Sequence, residues 1–295
     1  MLLRKLWRTM GLYKAQFISM IIMISLGIGI FIGFNMEWVS IEKNTGGFFD
    51  DTGFADYRIV SEAGFTKNDL KSIEDMDGVD RASRYVCVNA DVKGRDGDSV
   101  ALTVTENEDV SGFMVVQGDA YDSESADGIW LSDRYAGANN IAAGDKLTLE
   151  YKNFEIKGEV KGLIKASEHM VCVRDETQIM PDYDTYGYAY ISPVFYEKAA
   201  GFEYYPQINV ISDMSKKAFT DEADDALDRT LLILSKDENM SYAGADSEIE
   251  EGKTMGSILP VLFLLIAVLT MVTTMHRIAA KEKLQIGTLK ALGFK

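Results

Sequence analysis

Two long stretches without a charged residue limit the folds open to this chain of 295 residues. One covers positions 15–36 and the other positions 254–276. About 20 helical residues cross the hydrocarbon core of a bilayer, and only a helix satisfies its own backbone hydrogen bonds there. The pattern predicts two transmembrane helices, at 15–37 and 254–276. A buried core helix is the alternative for a single run, and a signal peptide is the alternative for the first.

Charge is distributed unevenly around these runs and predicts their orientation. Residues 36–254 carry 21 of the 30 Lys and Arg residues and 45 of the 46 Asp and Glu residues. The flanks outside the two runs are basic, with Arg4, Arg8 and Lys14 before the first and Arg277 and Lys281 after the second. The positive-inside rule therefore predicts a multi-pass protein of the cell membrane with both termini in the cytoplasm. An acidic outer domain at 38–253 also argues against a nucleic-acid partner.

The segment between the spans has the patterning of an α+β domain. Seven β-branched or aromatic segments predict strands: 56–60, 84–93, 99–106, 146–151, 154–163, 188–192 and 206–212. Residues 66–76 predict a helix capped by Thr66, and residues 215–236 predict a longer one. The predicted fold is a pair of transmembrane helices flanking an extracytoplasmic mixed α/β, porter-like domain. Residues 117–190 are expected to form a strand-rich subdomain inserted in it.

Two features near the first span predict packing against lipid or protein. Residues 1–14 place Leu3, Leu6, Trp7 and Met10 on one helical face, which indicates an interfacial amphipathic helix; a disordered basic leader is the alternative. Within the span, small residues recur every fourth position and are helix-packing candidates. They are Ser25, Gly29 and Gly33.

Residues for catalysis or metal binding are sparse in the outer segment. His169 is its one histidine, and the sequence contains no phosphate-binding loop, nucleophile elbow or zinc-protease motif. The acidic runs lack the spacing of a calcium loop. We therefore predict a subunit without enzymatic activity, cofactor or metal site. Cys87 and Cys172 either pair as a disulfide or remain buried thiols.

Two segments resemble the MacB/FtsX-type permeases of ABC transporters. Residues 118–162 are similar to the periplasmic core domain of that family, through the strand at 128–132, Ala136 and the run 144–149 that begins Gly-Asp. Residues 277–294, RIAAKEKLQIGTLKALGF, are similar to the segment that follows the second span in the family. The matching positions are Arg277, Glu282, Ile286, Gly287, Leu289, Lys290, Ala291, Leu292 and Gly293.

The resemblance implies a function that composition alone does not. It implies a permease subunit that works with a separate ABC-type ATPase, which docks on the cytoplasmic coupling segment 277–295. It also implies a membrane-lipid environment and a permease dimer or tandem half. The implied role is export of a peptide, lipid or lipoprotein, or transmission of movement to the outer domain. Family members continue with further spans, so a fragment or a truncated product is expected here.

Two alternatives from other classes stay open, and one of them, a membrane-tethered enzyme, is disfavoured by the sparse catalytic residues. A two-span sensor or adaptor with an extracytoplasmic ligand- or protein-binding domain has the same layout and needs no ATPase. The two hypotheses differ in the role of the C-terminal segment, because only a permease requires Gly287 and Leu289 for coupling.

Overall fold

A computed structural model describes residues 7–8, 10–175, 177–178 and 180–291, except for the side chains at 282, 285, 286 and 289. The described chain contains two long helices, α1 (Lys14–Asp51) and α6 (Met240–Ala291). Half of the amphipathic helix predicted for 1–14, residues 1–6 and 9, lies outside the described residues. The remaining elements form a separate compact unit of residues 44–245.

The two long helices have the length and composition of membrane spans. Each contains an 18-residue window of mean hydropathy 2.5, of which 6% is buried in the first and 11% in the second. A core helix of a soluble protein is buried by its neighbours, so this exposure does not fit the core-helix alternative. The fold class predicted from the sequence, two apolar helices flanking a mixed α/β domain, is confirmed.

The helices pair within their own unit, which comprises residues 1–43 and 246–295. Near the middle, a Cβ placed on Gly27 would lie 3.3 Å from the Cβ of Phe263. At one end Lys281 lies over the ring of Tyr13, and at the other Lys253 lies over Trp38. The helices are therefore antiparallel. Pro260 lies in the interior of the second helix, because α6 begins at Met240, 14 residues before the apolar run at 254–276.

Residues 44–245 are built on one ten-stranded mixed sheet. Its elements, in chain order, are β1 (Tyr57–Val60), α2 (Lys67–Glu74), β2 (Val79–Val92), β3 (Ser99–Thr105), β4 (Met114–Gly118), β5 (Gly128–Ser132), α3 (Asp133–Ala138), β6 (Lys146–Tyr151), β7 (Phe154–Lys165), β8 (Tyr186–Ile191), α4 (Pro193–Ala200), β9 (Gln207–Ser212), α5 (Lys216–Leu227) and β10 (Leu232–Ser235). The sheet divides into two lobes that share β2.

The first lobe is a split βαβ arrangement. Its strands lie in the order β10-β1-β9-β2, all antiparallel, and its helices α2 and α5 follow β1 and β9. This is the order of a ferredoxin-like unit. The apolar residues of the lobe form one core, in which the rings of Tyr57 and Phe219 stack with centroids 4.3 Å apart.

The second lobe is inserted between β2 and β9. Its pairings β2-β3-β8-β5-β7-β6 return to β2, so six strands close into a ring around an apolar core. Ring closure depends on two register pairs, Asp91 with Glu150 and Val92 with Leu149. The interval 117–190, set apart in the sequence as strand-rich, lies inside this lobe.

One helix predicted from the sequence, at 215–236, was wrong in its second half. The helix predicted for 215–236 begins after its cap, Ser215, but ends at Leu227, because Asp228 adopts a left-handed conformation with φ 48°. Residues 232–235 then form β10, which pairs with β1. The run of apolar residues there belongs to a sheet edge, where Ile233 is buried and Leu232 is exposed.

Candidate functional site

The segment that resembles a coupling region is helical and continuous with the second span. α6 extends to Ala291, so the described part of the segment belongs to the same helix as residues 254–276. Of the nine candidate positions, Arg277, Gly287, Lys290 and Ala291 are exposed. The side chains of Glu282, Ile286 and Leu289 lie outside the description, as do Leu292 and Gly293. The role of these positions in docking stays a prediction.

The small residues of the first span do not make the close contact between the two helices. A Cβ added to Gly29 or Gly33 would meet no atom within 4 Å, and Ser25 is exposed. Close approaches in this pair are made instead by Gly27 on α1 and by Gly252 on α6, where an added Cβ would lie 2.7 Å from the Cβ of Trp38. The predicted stripe therefore lies on a surface of α1 that is open in the single chain.

A buried ion pair is the centre of a polar network in residues 44–245. Arg58 on β1 donates from Nη2 to Glu168 Oε2 at 2.6 Å, with 9% and 4% of the two side chains exposed. Asn239 donates to the same oxygen at 3.0 Å. The other oxygen, Oε1, accepts from Ser111 Oγ at 2.8 Å and lies 3.4 Å from the backbone N–H of Ala55. Each carboxylate oxygen thus has two donors.

Further hydrogen bonds fix the backbone around Glu168. Thr52 and Ser167 share a hydrogen bond of 2.5 Å between their hydroxyl groups. Ser241 donates to the Glu168 carbonyl at 3.1 Å and accepts from the Val171 N–H at 3.0 Å. The short segment 167–171 is therefore held by residues far away in the sequence.

We call the side chains joined by these hydrogen bonds the Glu168 network; they are Thr52, Arg58, Ser111, Ser167, Glu168, Asn209, Asn239 and Ser241. The network joins four parts of the domain. Thr52 follows the last residue of α1, and Asn239 and Ser241 stand at the start of α6. Arg58 and Asn209 belong to the ferredoxin-like lobe, and Asn209 donates to Ser111 Oγ at 2.6 Å. The network thus ties the domain ends of both long helices to both lobes.

Aromatic packing reinforces the same connection. The rings of Phe49 on α1 and Tyr242 on α6 stack with centroids 5.5 Å apart, and Phe54 lies 4.6 Å from Phe49. The guanidinium of Arg58 lies 5.1 Å above the ring of Phe54, which is a cation–π geometry. The network is therefore enclosed by apolar surface, where a lost hydrogen bond costs more than it does in water.

His169 has structural partners in the described chain. Its Nε2 is 3.1 Å from Thr103 Oγ1, and its ring stacks on Tyr188. Burial lowers the pKa of His169 to about 4, so the ring is neutral near pH 7. Cys87 and Cys172 are free thiols, and burial raises the pKa of Cys172 to about 12.

One group of acidic residues in the described chain has ligand atoms close enough for a metal ion. Glu106, Glu197 and Glu203 place carboxylate oxygens within 4.8 Å of one another. Arg84 already donates to Glu106 and Glu203, which gives the group an internal cation. We assign no metal to it.

Sequence reasoning did not identify the Glu168 network. Glu168 lies in a short 3-10 turn after β7, and the residues that bind it come from 110 positions earlier and 71 later. One signal was present in the sequence: Arg58 stands inside a short apolar strand, where a charged residue needs a buried partner.

Comparison with known proteins gives matches in structure only. No protein-family model matches the sequence, and no curated protein sequence matches it. The extracellular domain of the noncanonic ABC-type transporter YknZ from Gram-positive bacteria matches with TM-score 0.44 and 13% identity, over 61% of this chain and 100% of that one. The periplasmic region of MacB from Actinobacillus actinomycetemcomitans matches with TM-score 0.41 and 14% identity, over 72% and 98%.

The first match is a domain of an ABC-type transporter, and the second is a region of MacB. Their TM-scores lie below 0.5, so neither match establishes a shared fold or assigns this chain to a family. The functional argument below therefore depends on the chain's own motifs and contacts.

Proposed function

We propose that the chain is the membrane-spanning N-terminal part of an ABC-transporter permease of the MacB/FtsX type. In this proposal a separate cytoplasmic ATPase supplies the energy, and the chain passes movement to its outer domain. The observation that carries it is the motif at 277–293, which begins directly after the second apolar run and whose described residues, up to Ala291, continue the same helix. A coupling segment needs this rigid connection to its span.

Charge supports the orientation that a permease requires. The basic residues flank the apolar runs on the sides where the chain begins and ends, and the acidic residues lie between the runs. Both termini and the coupling segment are then cytoplasmic, and residues 38–253 are extracytoplasmic.

The Glu168 network supports a mechanical role for the outer domain. Both helices that contain the spans enter the domain at this network, through Thr52 on one side and Ser241 on the other. A displacement of either helix end changes several of these buried hydrogen bonds together, because they share Glu168. Packed groups of this kind change between discrete arrangements, which is how small shifts become domain movements.

The partners follow from the same proposal. The ATPase docks on the exposed coupling segment, and lipid covers the exposed apolar residues of both spans. Gly29 and Gly33 face open space in the single chain and form the packing surface for a second permease unit. The cargo class is a peptide, lipid or lipoprotein, or the output is movement of the domain itself.

Co-purification tests the proposal. The full chain is tagged in its native host, purified in mild detergent and analysed by mass spectrometry. We expect an ABC-type ATPase to accompany the wild-type chain and to be lost with Gly287→Asp. Thr288→Asp is the matched control, because it adds the same charge at the neighbouring exposed position, which the motif leaves free.

The result also separates the two function classes. Retention of the ATPase by Thr288→Asp and its loss with Gly287→Asp supports a specific docking position. If no ATPase accompanies the wild-type chain, either after extraction in detergent or after crosslinking in the membrane before extraction, the permease proposal is contradicted. The two-span sensor or adaptor is then favoured.

A further inference from the structure

The inserted lobe contains an apolar cavity of about 400 Å³, which lies between β2, β3, the β6–β7 hairpin and the segment that follows α4. Its floor consists of residues paired between β2 and β3, Val86 opposite Val104 and Val88 opposite Leu102. Three of these four side chains are buried. The volume lies in the range of ligand pockets in proteins, which are lined mainly by apolar side chains.

The cavity follows from the strand pairing. β2 pairs with β6 at Asp91 and Val92, and among the described residues this pairing does not continue toward Val88 and Val86. The hairpin and β2 therefore separate there, and apolar side chains of both border the space between them. Apolar cavities in proteins stay dry, and one of about 150 Å³ already binds small apolar molecules.

Two tyrosines of the cavity wall have hydroxyl groups that are bonded to backbone carbonyls. Tyr196 donates to the carbonyl of Tyr204 at 2.8 Å, and Tyr204 donates to the carbonyl of Glu62 at 3.0 Å. Neither hydroxyl group needs a ligand to complete its hydrogen bonding, and the rings add apolar surface to the wall. This part of the cavity therefore suits an apolar chain.

One charged residue lines the cavity, and it is a cation. Lys152 stands in the turn between β6 and β7, next to their last register pair, Tyr151 with Phe154. Its ammonium group lies 5.1 Å from the centroid of the Tyr151 ring, which also lines the cavity. Lys152 is exposed and makes no ion pair or hydrogen bond among the described residues. A cation without a counter-ion therefore stands at the edge of an apolar space.

The cavity opens to solvent on the side of this lysine. The ring of Phe154, from the hairpin, and the ring of Phe202, from the segment after α4, meet edge to face with centroids 5.7 Å apart. Half of the Phe202 side chain is exposed. Because Phe154 is only two residues from Lys152, an apolar chain that enters between the hairpin and this segment brings its head group close to the ammonium group.

The acidic residues of the same hairpin already have a cation of their own. Successive side chains of a strand point to opposite faces, so Glu150 and Glu155 lie on the face opposite to their neighbours that line the cavity. Lys93 pairs with both carboxylates, at 2.7 Å from Glu150. The charge of Lys152 is therefore not compensated by its own hairpin.

We propose that this cavity binds an anionic amphiphile, a carboxylate at the end of one apolar chain. The carboxylate pairs with Lys152 at the opening, and the chain lies over Val86 and Val104 on the floor. One ammonium group balances one negative charge, so a carboxylate fits better than a phosphate monoester, which carries nearly two. A cationic head would meet Lys152 and find no carboxylate in the lining.

The inference does not depend on the chain being a permease. It concerns one site in residues 44–245, and its outcome is separate from that of the ATPase co-purification. The excess of acidic residues in 36–254 disfavours anions near the domain in general. Saturable binding of an anion therefore requires a local cation such as Lys152.

Calorimetric titration with amphiphiles of equal chain length tests the proposal. The full chain is placed in nanodiscs of zwitterionic lipid and titrated with octanoate, octanol or octylammonium, with empty nanodiscs as the blank. We expect saturable binding of octanoate, weaker binding of octanol and no saturable binding of octylammonium. Burial of each methylene strengthens binding about fourfold, so octanoate should bind at least fivefold more tightly than hexanoate.

A charge variant and a cavity-filling variant locate the site. Lys152→Gln should weaken octanoate binding about three- to fivefold, as expected for the loss of an exposed ion pair, and should leave octanol binding unchanged. Lys146→Gln, at the exposed start of β6, is the matched control and should alter neither. Ala200→Phe places a ring in the cavity and should abolish binding of both, whereas Val194→Phe, at an exposed position of the same helix, should not.

Three results would each overturn the proposal. They are binding of octylammonium as tight as that of octanoate, equal octanoate affinities of Lys152→Gln and the wild type, and unchanged octanoate binding by a folded Ala200→Phe variant. Thermal unfolding shows which variants are folded. If Ala200→Phe does not fold, the comparison of octanoate with octanol in Lys152→Gln decides the question.

Discussion

Two buried arginines occupy similar positions in the shared sheet, yet their surroundings differ. Arg58 meets one carboxylate, Glu168, and both side chains are less than a tenth exposed. Arg84 is more deeply buried, at 2%, but two of its carboxylates reach the surface, with 18% of Glu106 and 40% of Glu203 exposed. The first cluster is balanced in charge, whereas the second has surplus acid.

The difference separates a fully buried junction from a cluster that reaches solvent. A fully paired buried charge cluster is costly to disrupt and suits a position where helices and lobes must move together. A cluster whose carboxylates reach solvent loses less when one partner is removed, because water solvates the charge that remains.

The largest expected effect is the loss of one partner in the balanced cluster. Glu168→Leu leaves the Arg58 guanidinium buried without a counter-charge and should lower the free energy of unfolding by about 3–5 kcal/mol. The double variant Arg58→Met/Glu168→Leu should recover much of that loss, because no charge remains unpaired. Thermal unfolding of the full chain in detergent measures both. Asp80→Asn, which removes an exposed pair with Arg81, is the control and should change the midpoint little.

Removing the second arginine should have a smaller effect that depends on pH. Its hydrogen bonds lower the pKa of Glu203, so the stability they contribute is present above the unfolded value near 4.3 and is lost as pH falls through the folded value. Arg84→Met should therefore be less stable than the wild type above about pH 5, and the difference should shrink as the carboxylates become protonated. A gap that stays constant from pH 7 to well below the unfolded value near 4.3 would show that packing of Arg84 on Tyr205 dominates.

Loss of the Ser241 hydroxyl should affect local opening of the 167–171 segment more than it affects global unfolding. Ser241→Ala leaves the Val171 N–H and the Glu168 carbonyl without their partner, at a cost of about 1–3 kcal/mol. Hydrogen exchange should be faster at Val171 than in the wild type, and unchanged in β6, which pairs with β2 and β7 and not with the 167–171 segment. Unchanged exchange at Val171 would indicate that this bond does not hold the 167–171 segment.

The smallest effects are expected in the transmembrane pair, where Gly27 of α1 contacts α6 and Gly29 does not. Gly27→Leu should weaken the contact with Phe263, whereas Gly29→Leu meets no atom of the same chain. Crosslinking between introduced cysteines in α1 and α6 reports the first effect. If Gly29 packs against a second unit, Gly29→Leu should reduce crosslinking between chains without altering crosslinking within one. If Gly27→Leu and Gly29→Leu reduce crosslinking within one chain equally, the two glycines do not differ in their contact with α6.

The sequence predicted elements that depend on local patterns. The apolar runs specified both long helices, and β-branched segments marked strands such as β3 and β6 within a residue or two. β4 was not predicted, because it is a short, mostly exposed edge strand. The apolar run at 230–234 was assigned to a helix, because its pairing with β1 is not visible in local sequence.

The candidate sites depended on contacts that no local pattern reveals. Arg58 and Glu168 are 110 residues apart in the chain, and the carboxylates at 106, 197 and 203 meet only because the inserted lobe closes into a ring. The segment 277–294 was identified from its residues by resemblance, and the coupling function proposed for it depends on a partner. Short motifs of this kind are visible in sequence, whereas networks made by topology are not.

The central claim, that nucleotide-driven movement reaches the outer domain through the Glu168 network, is tested most directly by hydrogen exchange. The full chain is assembled with its co-purified ATPase and compared without nucleotide and with a non-hydrolysable ATP analogue. We predict that exchange of the backbone amides in 167–171 and at the start of α6 changes when the analogue binds, and that Gly287→Asp abolishes the change. Identical exchange in both states, with the ATPase bound and active, would contradict the account.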